Sequence, residues 1–201
     1  SFYRAIEVNK QMKNDVQIAH LTLDIGRLFY ENRAFDKALK YYKKALELSK
    51  KIDNEELLSM SLSNLAISSR KMGMEVEAIH YANQAIGLVN DLESSEMLVS
   101  LHLEKGMCFY QTENWNRARD HFFESLTKEI NVDDSRHLAR VYVNLGHYYN
   151  LKREYDNAVN YYDMAMEQGA NLVGVDEANY AYDSLTTYFI RTEDFKSALT
   201  Y

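Results

Sequence analysis

The sequence predicts an all-α solenoid of stacked antiparallel helix pairs, and three observations carry that expectation. Side chains of matching size recur every 40 positions, proline is absent while glycine numbers seven, and tyrosine numbers sixteen. Proline and glycine punctuate turns, sheet edges and linkers, so 201 residues nearly without them are expected to be helical. Sixteen tyrosines exceed scattered surface use and are expected to fill repeated slots between helices.

The register is anchored by Gly26, Ala66, Gly106, Gly146 and Thr186. Three positions on come Phe29, Ser69, Phe109, Tyr149 and Phe189, and nine on Phe35, Glu75, Trp115, Tyr155 and Phe195. Twelve on lie Ala38, Ala78, Ala118, Ala158 and Ala198. Sixteen on lie Tyr42, Ala82, Phe122 and Tyr162, and nineteen on Ala45, Ala85, Ser125 and Ala165. The position before each anchor holds Ile25, Leu65, Lys105, Leu145 or Leu185. Two helices approach closely only where one offers a small side chain, and large aromatics fill the gaps beside it. One helix pair cannot bury its apolar face alone, so neighbouring units must stack.

The elements follow in order. Residues 1–14, with Ala5 in the late alanine slot, are expected to be the second helix of a preceding unit. Full units are expected over 15–54, 55–94, 95–134 and 135–174, and a partial one over 175–201, all within one solenoid of 1–201. In the fourth, helix A is placed over Ser135–Leu151 and helix B over Tyr155–Gln168. Asp53-Asn54, Ser94-Ser95, Asp133-Asp134 and Asp176 supply cap chemistry, with Glu55, Glu56, Glu96 and Glu177 near the positive helix end. The chain opens on Ser1 and stops inside a fifth helix B, so it is expected to be a piece of a longer protein. Phe2, Ile6, Phe195 and Leu199 would then leave apolar stacking faces through which copies are expected to associate.

Charge narrows the function. The chain carries 23 Lys and Arg against 30 Asp and Glu, a net −7, whereas nucleic acid and anionic membranes call for a basic face. No apolar run approaches the ~20 residues that span a bilayer, and no signal peptide opens the chain. Cys108, the sole cysteine, cannot pair internally, which fits a reducing compartment and a cytoplasmic location.

At "DIGRLFYENRAFDKALKYYKKAL" (24–46) and "NLGHYYNLKREYDNAVNYYDMAM" (144–166) the pattern resembles the tetratricopeptide repeat family, in a unit of 40 residues rather than the usual 34. The resemblance covers the whole chain; it departs at Ser69 and Glu75, which replace aromatics, and at Thr186, which replaces the anchor glycine. It implies a right-handed superhelix whose A helices line a concave face. It also implies that the slots at anchor −6, −3, −2, +1, +4 and +5 face a ligand. The −3 slot holds Leu23, Ser63, Leu103, Val143 and Asp183. Asn64 and Asn144 share the −2 slot, and an asparagine there can both donate to and accept from a peptide backbone. Arg70, Lys71 and Arg140 are the candidates for a ligand carboxylate. Met107, Tyr110, His147 and Asn150 complete the expected peptide-binding set, and the last unit adds Thr187, Ile190 and Arg191.

The unit length and the Lys/Asn/Tyr-rich style also resemble sensor domains of bacterial cytoplasmic regulators of the Rap and NprR type. That resemblance implies recognition of a short peptide that switches an attached domain. A constitutive protein-binding scaffold is the alternative. An enzyme fragment is disfavoured, because no nucleophile, acid–base pair or cofactor motif emerges. Cys108 reads as a buried small hydrophobe. His20, His80, His102, His121, His137 and His147 form no HExxH or His-x3-His spacing, so a metal site would need distant residues to converge. His121 with Glu124, three apart on a helix, reads as surface, and Lys37, Lys40, Lys43 and Lys44 as a solvated face.

Overall fold

The computed structural model describes residues 14–91, 95–128, 135–169, 183, 186–194 and 198. Among them, helices run in four consecutive pairs: α1 (Asp15–Glu31) with α2 (Phe35–Lys51), α3 (Glu55–Lys71) with α4 (Glu75–Asp91), α5 (Ser95–Gln111) with α6 (Trp115–Thr127), and α7 (Ser135–Leu151) with α8 (Tyr155–Gly169). A further helical stretch covers 186–191. No described helix is long and apolar enough to cross a membrane. Helix A of the fourth unit begins and ends where the sequence placed it, and helix B runs one residue further. Of the expected helix over 1–14 only Asn14 is described, and the end-face residues Phe2, Ile6, Phe195 and Leu199 lie outside the described residues.

The anchor register is a packing register. A Cβ added to Gly26 would sit 2.5 Å from Cε1 of Tyr42, and one on Gly146 would sit 2.5 Å from Cε1 of Tyr162. Gly106 meets the Phe122 ring in the same way. Each aromatic ring therefore occupies the space that a Cβ would need on the partner helix, and all three rings are almost fully buried. In the second unit the pair is Ala66 and Ala82, both buried, so the volume is shared instead of concentrated in one ring. Ser69, which replaces an aromatic there, is fully buried, and its helix is serine-rich: Ser61 and Ser59 turn their hydroxyls onto the carbonyls of Leu57 and Glu56. The aromatics three after the anchor stack on position fifteen, Phe29 on Tyr41 and Tyr149 on Tyr161, with centroids 5.3 Å apart in both.

The connectors follow a 20-residue rhythm that cap chemistry alone did not show. Arg33, Asp53, Gly73, Glu113, Arg153 and Glu193 all have φ between 51° and 70°. Each sits just past a helix end and closes it in the same way: the Ala34 N–H reaches back to the Phe29 carbonyl (2.9 Å) and Arg33 N–H to Tyr30 (2.9 Å). The pattern recurs at Asn54 to Ser49, Met74 to Ser69, Asn114 to Phe109, Glu154 to Tyr149 and Asp194 to Phe189. Asp53 is thus not a helix N-cap: it is the left-handed residue closing α2, and Asn54 alone caps α3, its Oδ1 accepting from the Leu57 N–H at 2.9 Å. Asn14 caps α1 the same way. Ser95 opens α5; Ser94, Asp133, Asp134 and Asp176 lie outside the described residues.

Left-handed backbone is strained for residues with a Cβ. Replacing Arg33, Glu113 and Arg153 by glycine is therefore expected to stabilise the fold by about 0.5–1 kcal/mol each. The triple variant should melt about 4–8 °C higher by calorimetry. An unchanged or lower melting temperature would refute the strain assignment.

Consecutive helices pack on one another, and in addition α1 touches α3, α3 touches α5 and α5 touches α7. Among the described residues the B helices α2, α4, α6 and α8 make no such contact with each other. A stack whose A helices meet while its B helices stand apart is concave on the A side. Lys37, Lys40, Lys43 and Lys44 on α2 are all exposed, as a solvated outer face requires.

Candidate functional site

Position along helix A decides which side chains reach the concave face. At anchor −3, Leu23, Leu103 and Val143 are no more than 5% exposed and Ser63 is also buried. That slot points into the core in these four units, so its expected ligand-facing role is corrected there. The reason is geometric: with the anchor turned onto helix B, the residue three before it lies one turn away on the same face. In the last unit the same slot, Asp183, is exposed.

Arg70 is also corrected. It is 4% exposed, and its Nε donates to Oε2 of Glu104 at 2.5 Å; Glu104 is itself 3% exposed. Arg140 donates through Nη2 to the other oxygen, Oε1, at 3.1 Å. One buried carboxylate is thus held by arginines from the preceding and following units, tying α3, α5 and α7 together beneath the groove. Burial pushes the Glu104 carboxyl up, but the Arg70 and Arg140 charges outweigh it and hold it below the usual carboxylate range. Arg70 is buried inside the wall and paired through Nε, while its Nη2 is buried without a hydrogen-bond partner among the described residues. Arg140 remains half-exposed, with Met107 sulfur 3.6 Å from its Nη2.

The other expected residues differ in how far they reach solvent. Asn64 and Asn144 are half-buried. Asn144 donates one amide hydrogen to the Arg140 carbonyl at 2.7 Å, which leaves its second donor and its Oδ1 for another group. Tyr110 packs edge-on against Trp115, with centroids 4.9 Å apart, and faces His147 at 6.3 Å. Burial lowers His147 to about 4, so its ring is neutral at pH 7. Lys71 is exposed at the end of α3. Asn150, Tyr155, Asp183, Thr187, Tyr188, Arg191 and Thr192 line an open cavity of about 460 Å³. Asn150, Asp183, Thr187 and Arg191 all occupy expected ligand slots, and Arg191 is exposed, so it offers the guanidinium that Arg70 does not.

Cys108 is buried as expected, and desolvation pushes its thiol up to about 12, which removes the thiolate a nucleophile needs. The reading of His121 and Glu124 as plain surface is corrected. His102 from α5 meets both of them, a convergence that spacing within one helix could not display.

Two models of the tetratricopeptide repeat match the chain, over residues 16–91 and 139–167. Among curated proteins, Protein HGV2 of Halocynthia roretzi is 33% identical over 76 residues, covering 37% of this chain and 15% of that protein. Outer dynein arm-docking complex subunit 4 of Danio rerio is 26% identical over 170 residues, covering 84% and 34%. The chain thus spans about a third or less of the length of these relatives. Among solved structures, BtubC (BKLC) from P. vanneervenii superposes with a TM-score of 0.80 at 21% identity, covering 100% of this chain and 85% of that one. The apo quorum sensor NprR from B. thuringiensis gives 0.82 at 16%, covering 98% and 56%. A signal-transduction ATPase with a tetratricopeptide repeat sensor from Pyrococcus horikoshii gives 0.75 at 19%, covering 98% and 31%. At these identities the superpositions speak to the fold alone. The glycine-on-aromatic packing, the helix-pair stack and the two matched stretches agree: the chain belongs to the tetratricopeptide repeat family.

Proposed function

We propose that residues 1–201 form a single solenoid whose concave face binds an extended peptide or partner segment without chemistry on it. We further propose that it is the ligand-sensing part of a bacterial cytoplasmic regulator. The observation that carries this reading is the open cavity lined by Asn150, Asp183, Thr187 and Arg191. It combines amide, hydroxyl, carboxylate and guanidinium groups on a face already furnished with Asn64, Asn144, Met107, Tyr110, His147 and Lys71. Mixed donors and acceptors along a groove suit a peptide backbone with a charged end. The fold shared with the quorum sensor NprR supports the sensing role.

The test is a short-peptide library read by thermal shift and then calorimetry. A micromolar or tighter hit should weaken about tenfold or more in the Asn64→Ala/Asn144→Ala variant, which removes two backbone-directed side chains. An unchanged affinity in that variant would place the ligand elsewhere. A sensor should also change its scattering profile when the peptide binds.

A second reading is a constitutive scaffold. The 170-residue likeness to a docking-complex subunit favours it, as does the buried Arg70–Glu104–Arg140 tie, which resists changes of curvature. A scaffold should bind a folded or long partner and keep the same profile.

A further inference from the structure

His102 lies on α5, and His121 and Glu124 lie on α6. Nδ1 of His102 is 2.8 Å from Oε2 of Glu124, Nδ1 of His121 is 3.1 Å from the same oxygen, and the two Nδ1 atoms are 3.4 Å apart. Three possible donor atoms, two imidazole and one carboxylate, thus lie within 3.4 Å of one another. A tetrahedral zinc ion with bonds of about 2.0–2.1 Å holds its ligands about 3.3–3.4 Å from one another. The His102–Glu124 edge needs to open by about 0.5–0.6 Å, the His121–Glu124 edge by about 0.2–0.3 Å and the His102–His121 edge hardly at all to accept such an ion.

The repeat register supports this independently. His102 stands four before the anchor and His121 fifteen after it. In the fourth unit those two slots hold Tyr142 and Tyr161, whose centroids are 6.3 Å apart, so the fold itself brings the slots together. Position fifteen holds Tyr41, Tyr81 and Tyr161 in the other three units. His121 keeps the aromatic stack, lying on Phe109 with centroids 5.4 Å apart and planes within 8°, while adding a nitrogen that tyrosine lacks. Only the third unit carries two histidines in these slots with a carboxylate at position eighteen, where the others have Lys44, Gln84 and Met164.

We propose that His102, His121 and Glu124 bind one divalent transition-metal ion of the zinc class, with a fourth position open to water. Two nitrogens and one oxygen suit zinc, nickel or copper(II); magnesium and calcium prefer oxygen alone. The Glu124 side chain is 52% exposed, which gives the ion a path from solvent, while those of His102 and His121 are 9% and 18% exposed and hold their positions by packing. The groups facing the site are Lys105, Lys128 and Asp120; Lys105 opposes a cation, though burial lowers its own proton affinity. An ion here would clamp α5 to α6.

The test uses metal-stripped chain without an affinity tag, titrated with zinc chloride by calorimetry, with cobalt(II) absorption reporting the coordination geometry. The expected result is one ion per chain with a Kd of about 1 µM or tighter, a rise in melting temperature of about 5 °C in excess zinc, and a tetrahedral cobalt spectrum. His121→Phe restores the aromatic of the sister units and should fold, yet weaken binding by about a hundredfold; Glu124→Gln should weaken it by about tenfold. Zinc bound with unchanged affinity in both variants, or no binding tighter than about 100 µM in the parent chain, would overturn the site.

Discussion

Glu104→Ala is expected to destabilise the chain by about 3–5 kcal/mol, because it strands Arg70 in the interior with no counter-charge. Arg70 and Glu104 have side chains 3% exposed, so water cannot replace the lost partner. The matching prediction separates charge burial from packing: Arg70→Met, Glu104→Leu and Arg140→Leu together should recover most of that loss, since apolar groups of similar volume leave no charge buried. Urea unfolding of the single and triple variants measures both. A loss under about 1 kcal/mol in Glu104→Ala would mean that the pair carries little.

The same carboxylate gives stability a pH dependence. Its folded-state pKa is depressed below the ordinary 4.5 by the two arginines. Its contribution is therefore complete above pH 4.5 and is lost as the pH falls from there through the lower folded-state value. Glu104→Gln should flatten the melting temperature across that acid range relative to the parent.

Gly146→Ala is the second large effect, expected at about 1–3 kcal/mol for a single methyl. That methyl would lie 2.5 Å from the Tyr162 ring, which is 2% exposed and has no room to retreat. Adding Tyr162→Ala should relieve the clash, so the double variant should be less destabilised than the sum of its parts by about 0.5–3 kcal/mol. The Ala66 and Ala82 pair of the second unit shows that the fold accepts that combination. Gly87→Ala is the control: a Cβ there meets nothing within 4 Å, so it should stabilise α4 by about 0.5–1 kcal/mol. Additive behaviour in the Gly146 and Tyr162 cycle would refute the close-approach account.

The candidate groove was partly legible. Slots relative to the anchor transfer from unit to unit in burial: Asn64 and Asn144 are half-buried alike, and so are Tyr30, Tyr110 and Asn150. Arg70 failed that transfer. The slot sets where a side chain starts, but a long arginine goes where its charge is best balanced, and Glu104 from the next unit lay in reach.

The sequence by itself determined the helix pairs, the 40-residue register, the glycine seats for Tyr42, Phe122 and Tyr162, and the burial of Cys108. These follow from local periodicity and from side-chain volume, both of which are written along the chain. Only the tertiary structure decided that anchor −3 faces the core, that Asp53 closes a helix instead of opening one, that Glu104 is shared by two arginines, and that His102 meets His121 and Glu124. Asp53 is set by the left-handed turn at the helix end, whereas the Glu104 and His102 contacts join residues 19 to 36 positions apart. Stacking fixes such distances through the exact rotation of one helix on the next, which a pattern of residue sizes leaves open.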